Sequence, residues 1–95
     1  MTGFVYILAS KKGGTLYTGV TADLARRVFE HKQRLGTGFT NRYGAIRLVW
    51  YREYVDIGDA IVDEKRIKKW RRDWKISLVE EMNPEWQELY GGMGW

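Results

Sequence analysis

The chain has 95 residues and a net charge of +4, with 16 Lys and Arg against 12 Asp and Glu, and 44% of its residues are hydrophobic. This size predicts a single domain, which we place at residues 1–90, followed by a loose tail at residues 91–95. The absence of cysteine excludes disulfides and thiolate zinc sites, and a lone histidine argues against a histidine-based metal site. Without a membrane-length apolar run or a signal peptide, we expect a cytoplasmic protein that has no membrane partner.

A β-hairpin is predicted at the start of the chain, where two stretches rich in β-branched and aromatic residues flank a Lys-Lys-Gly-Gly turn. A four-residue loop over residues 10–13, with Ala9 paired to Gly14, would place Tyr6 directly opposite Tyr17. The same register would place Phe4 opposite Gly19, so both phenols would share one face with a bare glycine backbone. A substrate backbone could approach closely at such a gap. The alternative is an aromatic pair that only stabilises the hairpin.

An amphipathic helix is predicted over residues 21–32. Thr21 or Asp23 is a suitable cap for its start. Arg27 and His31 are four residues apart, so they form one ridge along the border of the apolar stripe. That stripe consists of Leu24, Val28 and Leu35.

A third strand over residues 46–54 precedes a second helix, predicted over residues 56–70. The core-facing stripe of this helix is predicted to contain Ile57, Ala60, Ile61, Ile67 and Lys68, with Glu64 in its middle. A carboxylate on such a stripe must be paired, protonated or bound to a metal, because an isolated buried charge is costly. Arg27 is one candidate for an ion-pair partner of Glu64.

The most basic part of the chain lies at residues 65–75, where seven of eleven residues are Lys or Arg. A helix of this composition could follow a phosphate backbone and release counterions. The alternative is a solvated face whose two tryptophans, Trp70 and Trp74, belong to the core. A second basic site is the glycine-bounded loop at residues 40–44, which either contacts nucleic acid or only links two elements.

The end of the chain is predicted to contain a helix over residues 74–81, with Asp73 as its cap, and a short helix after Pro84. Asn83 directly before Pro84 has the pattern of an N-cap followed by proline at the first helical position. The order of elements is therefore β-β-α-β-α-α. This order predicts an α+β fold with a three-stranded antiparallel sheet flanked by helices.

The spacing of Tyr6, Tyr17-x-Gly19, Arg27, His31 and Glu64 resembles that of the GIY-YIG nuclease superfamily. More narrowly, the chain is similar to the small stand-alone bacterial proteins of this superfamily, from Phe4 to about Leu89. Two positions depart from the family pattern. The glycine of the first motif is replaced in Phe4-Val5-Tyr6, and Thr18 replaces the isoleucine of the second motif. Both changes affect packing more than chemistry.

The resemblance implies a metal-dependent endonuclease that hydrolyses DNA phosphodiester bonds, of the kind used in DNA repair or recombination. Glu64 would hold one divalent cation, Mg²⁺ or Mn²⁺, together with water and substrate phosphate. Arg27 would clamp the scissile phosphate, and Tyr17 would be the general base with Tyr6 beside it. His31 would orient the attacking water or assist proton movement.

The resemblance also suggests Asn83 as a further catalytic residue, although Gln87 is the better-aligned position. The residues expected to contact nucleic acid are Gly19, Lys32, Thr40, Arg42, Lys65, Lys68, Lys69 and Arg72. DNA is the expected partner, and a protein partner for targeting is a further expectation. The alternatives to an enzyme are a nucleic-acid-binding module on the same fold with weak or no turnover, and an interaction domain whose basic helix meets an acidic protein.

Overall fold

The structure is a computed structural model that describes residues 1–33 and 44–92. Its elements are β1 (Gly3–Ala9), β2 (Leu16–Thr21), α1 (Leu24–Lys32), β3 (Arg47–Tyr54), α2 (Ile57–Lys68), α3 (Arg72–Met82) and a 3₁₀ turn (Tyr90–Gly92). This order confirms the predicted α+β class. The stripe residue Leu35 and the loop residues Thr40 and Arg42 lie outside the described residues, as does the end of the predicted tail, residues 93–95.

The sheet has the order β2-β1-β3, and both pairs of strands are antiparallel. Side chains alternate between the faces of the central strand β1. Tyr6 and Leu8 lie on one face, where they contact the buried residues of α1. Val5 and Ile7 lie on the other face, in a core that includes the buried residues of α2 and α3. The domain therefore has a hydrophobic core on each side of β1.

The hairpin register differs from the prediction by two positions. Tyr6 is opposite Gly19, and Tyr17 is opposite Leu8. The loop is longer than expected because the backbone N–H of Ser10 donates to the carbonyl of Thr15 at 3.0 Å, so that the first strand pair forms between residues 9 and 16. A shift of two positions keeps every side chain on its face, so the prediction that both phenols share one face holds.

The core-facing stripe of α2 is narrower than predicted. Ala60, Glu64 and Ile67 are buried, which confirms the position of the carboxylate, but Ile61 and Lys68 are exposed. Successive residues of a helix are turned by about 100°, so a residue that directly follows a stripe position points away from the sheet. The buried residues follow each other at steps of four and three, as expected of one helical face.

The basic run does not form one helix, because α2 ends at Lys68 and α3 begins at Arg72. α3 therefore starts two residues before the predicted start. Asp73 lies in its first turn, where a carboxylate suits the helix dipole, and is not the cap. Trp74 is 52% exposed, so the alternative that placed both tryptophans in the core is wrong for this residue.

The segment after α3 is a turn followed by extended chain, and the helix predicted after Pro84 is not present there. This segment runs beside the start of β3, since the backbone N–H of Leu89 donates to the carbonyl of Leu48 at 2.8 Å. The side chain of Glu88 accepts from the backbone N–H of Leu48 at 2.8 Å. No helix within the described part of the chain is long and apolar enough to cross a membrane.

Candidate active site

Three aromatic side chains, those of Tyr6, Tyr17 and His31, meet on the α1 face of the sheet. The ring centroids are 6.3 Å apart for the two tyrosines, 5.9 Å for Tyr6 and His31, and 5.3 Å for Tyr17 and His31. The hydroxyl of Tyr6 lies 3.0 Å from Nε2 of His31. The structure thus brings together three of the residues that the sequence pattern selected.

Gly19 makes room for this cluster. A Cβ atom at Gly19 would lie 2.5 Å from Cζ of the Tyr6 ring, which is closer than real Cβ contacts allow. The space that we expected to receive a substrate backbone is therefore filled by the ring of Tyr6. Glycine is required here because the ring of its cross-strand partner lies over its backbone.

Helix α1 brings His31 to the tyrosines. The side chain of Asp23 caps the helix by accepting from the backbone N–H of Arg26 at 3.2 Å, as predicted. Leu24 and Val28 are buried against the sheet. His31 is three residues after Val28 and therefore lies on nearly the same side of the helix. The packing of Leu24 and Val28 against the sheet thus sets the position of the imidazole.

Burial shifts the pKa values of the two hydrogen-bonded rings in opposite directions. Burial, helped by the nearby Tyr17, raises the pKa of Tyr6 well above its usual value, and Arg27 only partly opposes this. Burial, followed by the charge of Arg27, lowers the pKa of His31, and Glu30 only partly opposes this. At neutral pH, Tyr6 is therefore a neutral phenol and His31 a neutral imidazole. When the imidazole proton is on Nδ1, the hydroxyl of Tyr6 donates to Nε2 of His31.

Arg27 lies at the open side of the cluster, with 46% of its side chain exposed, and its Nε atom is 3.5 Å from a carboxylate oxygen of Glu30. The guanidinium is close enough to change the pKa of both Tyr6 and His31. A cavity of about 320 Å³ opens beside it, lined by Thr21, Ala22, Asp23, Arg26, Arg27 and Glu30. An anion that entered next to the phenols would meet Arg27.

Glu64 is 7% exposed and lies on the stripe of α2 that packs against the sheet face opposite the tyrosines. The structure pairs it with Lys68, whose Nζ atom is 2.9 Å from Oε2 of the glutamate. Arg27 instead pairs with Glu30, so the predicted ion pair between Arg27 and Glu64 is not formed.

Glu64 would be the single carboxylate ligand of any cation bound at this position. No group of three His, Cys, Asp or Glu side chains that could hold a metal occurs within residues 1–33 and 44–92. The carboxylate already holds the ammonium of Lys68, whose side chain is half exposed and can turn away. A divalent ion at Glu64 would have to fill its other positions with water and substrate oxygens, as Mg²⁺ commonly does.

Asn83 is the C-cap residue of α3, and the prediction that it is the N-cap of a following helix is wrong. It is 5% exposed, and its Nδ2 group donates to the carbonyl oxygens of Val49 at 3.1 Å and Gln87 at 2.8 Å. Its Oδ1 atom accepts from the backbone N–H of Gln87 at 3.0 Å. Val49 lies at an irregularity in the pairing of β1 and β3, so Asn83 satisfies a carbonyl at that irregularity.

The residues expected to contact nucleic acid fall into different groups in the structure. Lys65 and Lys69 are exposed. Lys32 pairs with Glu88 and donates to the carbonyl of Ile46 at 2.9 Å, so it connects α1 to the C-terminal segment. Arg72 donates to the carbonyl oxygens of Gly13, at 2.7 Å, and Gly14, and holds the hairpin loop against α3.

One feature of the basic region was missed from the sequence. Trp70 and Trp74 pack edge to face with ring centroids 6.0 Å apart and line an open cleft. The available signal was the spacing of two tryptophans by four residues within a basic run. Trp70 lies between α2 and α3 and Trp74 lies in α3, so the contact depends on how the chain turns there, which the spacing alone does not show.

Comparison with known proteins identifies the family of the chain. A sequence model of the GIY-YIG catalytic domain matches residues 2–77. The chain is 32% identical over 78 residues to UPF0213 protein SERP0126 of Staphylococcus epidermidis, covering 82% of this chain and 94% of the relative. It is 30% identical over 82 residues to UPF0213 protein OB0043 of Oceanobacillus iheyensis, covering 86% of this chain and 94% of the relative.

A solved structure is similar as well. The solution NMR structure of UPF0213 protein BH0048 from Bacillus halodurans is 32% identical, with a TM-score of 0.58 and coverage of 93% of both chains. The family match spans both tyrosine motifs, Arg27, His31 and Glu64. The chain belongs to the GIY-YIG nuclease superfamily.

Proposed function

We propose that this protein is an endonuclease that hydrolyses DNA phosphodiester bonds with the help of one divalent cation, Mg²⁺ or Mn²⁺. The observation that carries the proposal is the cluster of Tyr6, Tyr17 and His31, with Arg27 at its open side. Hydrolysis of a phosphodiester needs a base for water, positive charge at the phosphate and stabilisation of the leaving oxygen. The cluster and its neighbours offer a group for each of the first two needs.

Tyr17 is the proposed general base. Tyr6 is a poor candidate because burial raises its pKa and because its hydroxyl is already directed at His31. Tyr17 is only partly buried, and it lies on the edge strand β2, where water and substrate can reach it. In this assignment Tyr6 and His31 position the phenol of Tyr17 and the attacking water.

Arg27 is the proposed phosphate ligand. Its planar guanidinium can donate two parallel hydrogen bonds to phosphate oxygens, which a lysine cannot do. The pair with Glu30 is a surface contact at 3.5 Å, which is easily exchanged for a substrate anion. The polar cavity beside Arg27 provides space for the strand that carries the scissile phosphate.

Glu64 is the proposed metal ligand. α2 packs against β1 and β2. Because β2 is an edge strand, a ligand at its outer edge could reach groups on both faces of the sheet. A phosphate bound at this edge could contact Tyr17 from one face and an ion on Glu64 from the other. When bound, the cation would supply positive charge to the phosphate and to the leaving oxygen.

The test is a cleavage assay with single-stranded, duplex, flap and branched DNA, in Mg²⁺ or Mn²⁺ and in chelator, with an RNA strand of the same sequence in parallel. We expect cutting in the presence of the ion only. Glu64→Gln should abolish cutting while the melting temperature stays the same or rises, since the buried charge is removed. Equal cutting with chelator, or by the variant, would contradict the metal role.

A nucleic-acid-binding module without turnover is the second candidate. The ion pair between Glu64 and Lys68 favours it, because the ammonium occupies the side of the carboxylate that a metal ion would need. Under this alternative the protein binds DNA in the same assay but cuts none of the substrates, and Lys68→Met does not restore cutting. The second candidate fails if any substrate is cut in a manner that depends on Glu64.

A further inference from the structure

The cleft beside Trp70 and Trp74 is a second candidate site on this protein. It has a volume of about 310 Å³ and is lined by Trp70, Trp74, Ser77, Leu78 and Glu81. This volume is at the lower end of the range of about 300–1,000 Å³ for small-ligand pockets. Within the described part of the chain, Trp74 is the most exposed of the tryptophans.

The two indole rings are held in place, Trp70 by packing partly buried against the core and Trp74 although it is exposed. They pack edge to face at an interplanar angle of 78°. The guanidinium carbon of Arg66 lies 5.5 Å from the centre of the Trp70 ring, and that of Arg71 lies 5.2 Å from the centre of the Trp74 ring. Such cation–π contacts stabilise the ring orientations. The cleft is therefore a prearranged aromatic surface.

The charges around and within the cleft indicate what would bind there. The guanidinium groups of Arg66 and Arg71 lie against its two indole rings, so a polyanion would be attracted to this surface. The cleft itself presents indole rings, a leucine and the carboxylate of Glu81, which would repel a phosphate. A nucleic acid would therefore place its phosphates on the basic rim and an uncharged base in the cleft.

We propose that this cleft binds an unpaired nucleobase of the DNA, stacked on Trp74, with Ser77 and Glu81 available to accept hydrogen bonds from its edge. A base inside a paired stack has both of its faces covered, so only a single strand or an extrahelical base can stack in this way. The proposal rests on the proposed function, which makes DNA the substrate. It adds a preference for DNA that carries an unpaired base.

Binding of a short labelled single strand, measured by fluorescence anisotropy in chelator at constant salt, tests the proposal without requiring cleavage. The decisive comparison is with a strand of equal length in which the bases are replaced by abasic sugars, since both strands carry the same phosphates. The unmodified protein should bind the base-containing strand about 5- to 150-fold more tightly, the range expected for stacking of one base. Equal affinity for the two strands would overturn the proposal.

Variants then locate the contact. Trp74→Ala should remove the preference for the base-containing strand, and Trp74→Phe should restore most of it, because any aromatic ring can stack. Phe29→Ala is the matched control: Phe29 is a similarly exposed aromatic residue, 50% exposed, on α1 outside the cleft. A preference that survives Trp74→Ala, or that disappears equally in Phe29→Ala, would overturn the assignment to this cleft.

Two further duplexes distinguish the sources of the unpaired base. The unmodified protein and Trp74→Ala should bind a perfectly paired duplex with the same affinity. If one extrahelical base is sufficient for stacking, the unmodified protein should bind a duplex with one bulged nucleotide more tightly than Trp74→Ala does. If only the single strand shows the difference, the cleft binds a single-stranded segment. Base-dependent binding without any cleavage would contradict the proposed nuclease function and support base binding in the cleft. Cleavage without base-dependent binding would support the nuclease function and contradict base binding in the cleft.

Discussion

At the scale of single residues, the two tyrosines of the candidate site differ in burial and in hydrogen bonding. Tyr6 is fully buried, its hydroxyl is bonded to His31, and its ring lies over Gly19. Tyr17 is more open, and it lies on an edge strand. The two tyrosines of the family motif therefore have different environments and are suited to different roles. The first is held by its contacts, and the second is the one for which we propose the chemical role.

Gly19→Ala tests whether the ring of Tyr6 must lie over a bare backbone. The new methyl group would overlap that ring, so the variant should lose about 1–3 kcal/mol of stability and most of its cleavage activity. Thermal unfolding and a cleavage assay measure the two effects. Gly91→Ala is the control, since a Cβ there meets nothing within 4 Å. Unchanged stability in Gly19→Ala would show that Tyr6 moves without difficulty.

Tyr17→Phe should lose activity and keep stability. The ring and its packing against His31 remain, and only the hydroxyl that we propose as the base is removed. The rate of cleavage should fall by at least about 100-fold, the lower end for loss of a general base. Tyr54→Phe is the control, because it removes a hydroxyl that is bonded to Asp63 at the far end of β3. Cutting by Tyr17→Phe at the normal rate would leave Tyr17 a role in packing alone.

The low pKa of His31 gives stability a definite dependence on pH. Burial lowers the pKa in the folded state, so between that value and the unfolded value of about 6.5 the unfolded chain binds more protons. This contribution is complete above about pH 6.5 and is lost as the pH falls through the folded-state pKa. Protonation also removes the acceptor for the hydroxyl of Tyr6.

The melting temperature of the unmodified protein should therefore fall on acidification from about pH 7 to pH 5 more steeply than that of His31→Gln. Other groups titrate in both proteins, so the difference between the two curves isolates the histidine. Parallel curves would mean that the pKa of His31 is the same in the folded and unfolded states.

At the scale of elements, three polar side chains connect segments that are distant in the chain. Asn83 satisfies the carbonyl of Val49, Arg72 holds the hairpin loop, and Lys32 connects α1 to Glu88. These side chains were candidates for catalysis or DNA binding on the sequence alone. Each of them has partners within the fold, which makes stability the first property that their replacement should change.

Asn83→Ala distinguishes a structural from a catalytic asparagine. Removing the amide leaves the buried carbonyl of Val49 without this partner, which costs about 1–3 kcal/mol, and also removes two partly buried hydrogen bonds to the backbone of Gln87. We expect a large drop in the free energy of unfolding, measured by denaturant titration. Gln87→Ala is the control, since Asn83 bonds the backbone of Gln87 and its side chain is exposed. Loss of cleavage without loss of stability, in either variant, would assign catalysis to that residue.

At the scale of the whole molecule, the basic run contains both exposed lysines and cations that are paired within the fold. Lys65 and Lys69 remain available for phosphate, whereas Lys68 and Arg72 in the same run pair with Glu64 and with the hairpin loop. The net charge of +4 is modest, so nucleic-acid binding must depend on local clusters and on salt concentration.

Replacing Lys65 and Lys69 together with glutamine should weaken DNA binding equally for all sequences. The slope of log affinity against log salt should fall by up to about 0.9 for each lost phosphate contact on duplex DNA. Binding titrations at several salt concentrations measure this slope. The control replaces Lys11 and Lys12 of the hairpin loop with glutamine, which changes the net charge by the same amount. An equal fall in both variants would show that general charge, and not this surface, attracts DNA.

The order of the elements, the caps of α1 and the shared face of the two tyrosines could be predicted because they depend on local patterns. Alternation along a strand, the spacing of apolar residues and an aspartate before a helix are all encoded within a few neighbouring residues. The family spacing added the candidate residues. The hairpin register was wrong by two positions because one hydrogen bond from Ser10 to Thr15 lengthens the loop, and such a bond leaves the alternation unchanged.

Which polar side chains remain available was decided only by the tertiary structure. Asn83 and Arg72 bond to groups 34 and 59 residues away along the chain, at Val49 and Gly13, and no local pattern encodes such pairs. The exposure of Trp74 likewise depends on which other elements cover α3. Local sequence determined the elements of this protein and the face on which each residue lies, because both follow from backbone geometry. Packing between distant segments determined which of those residues can still meet a substrate, because burial and hydrogen bonding depend on the whole chain.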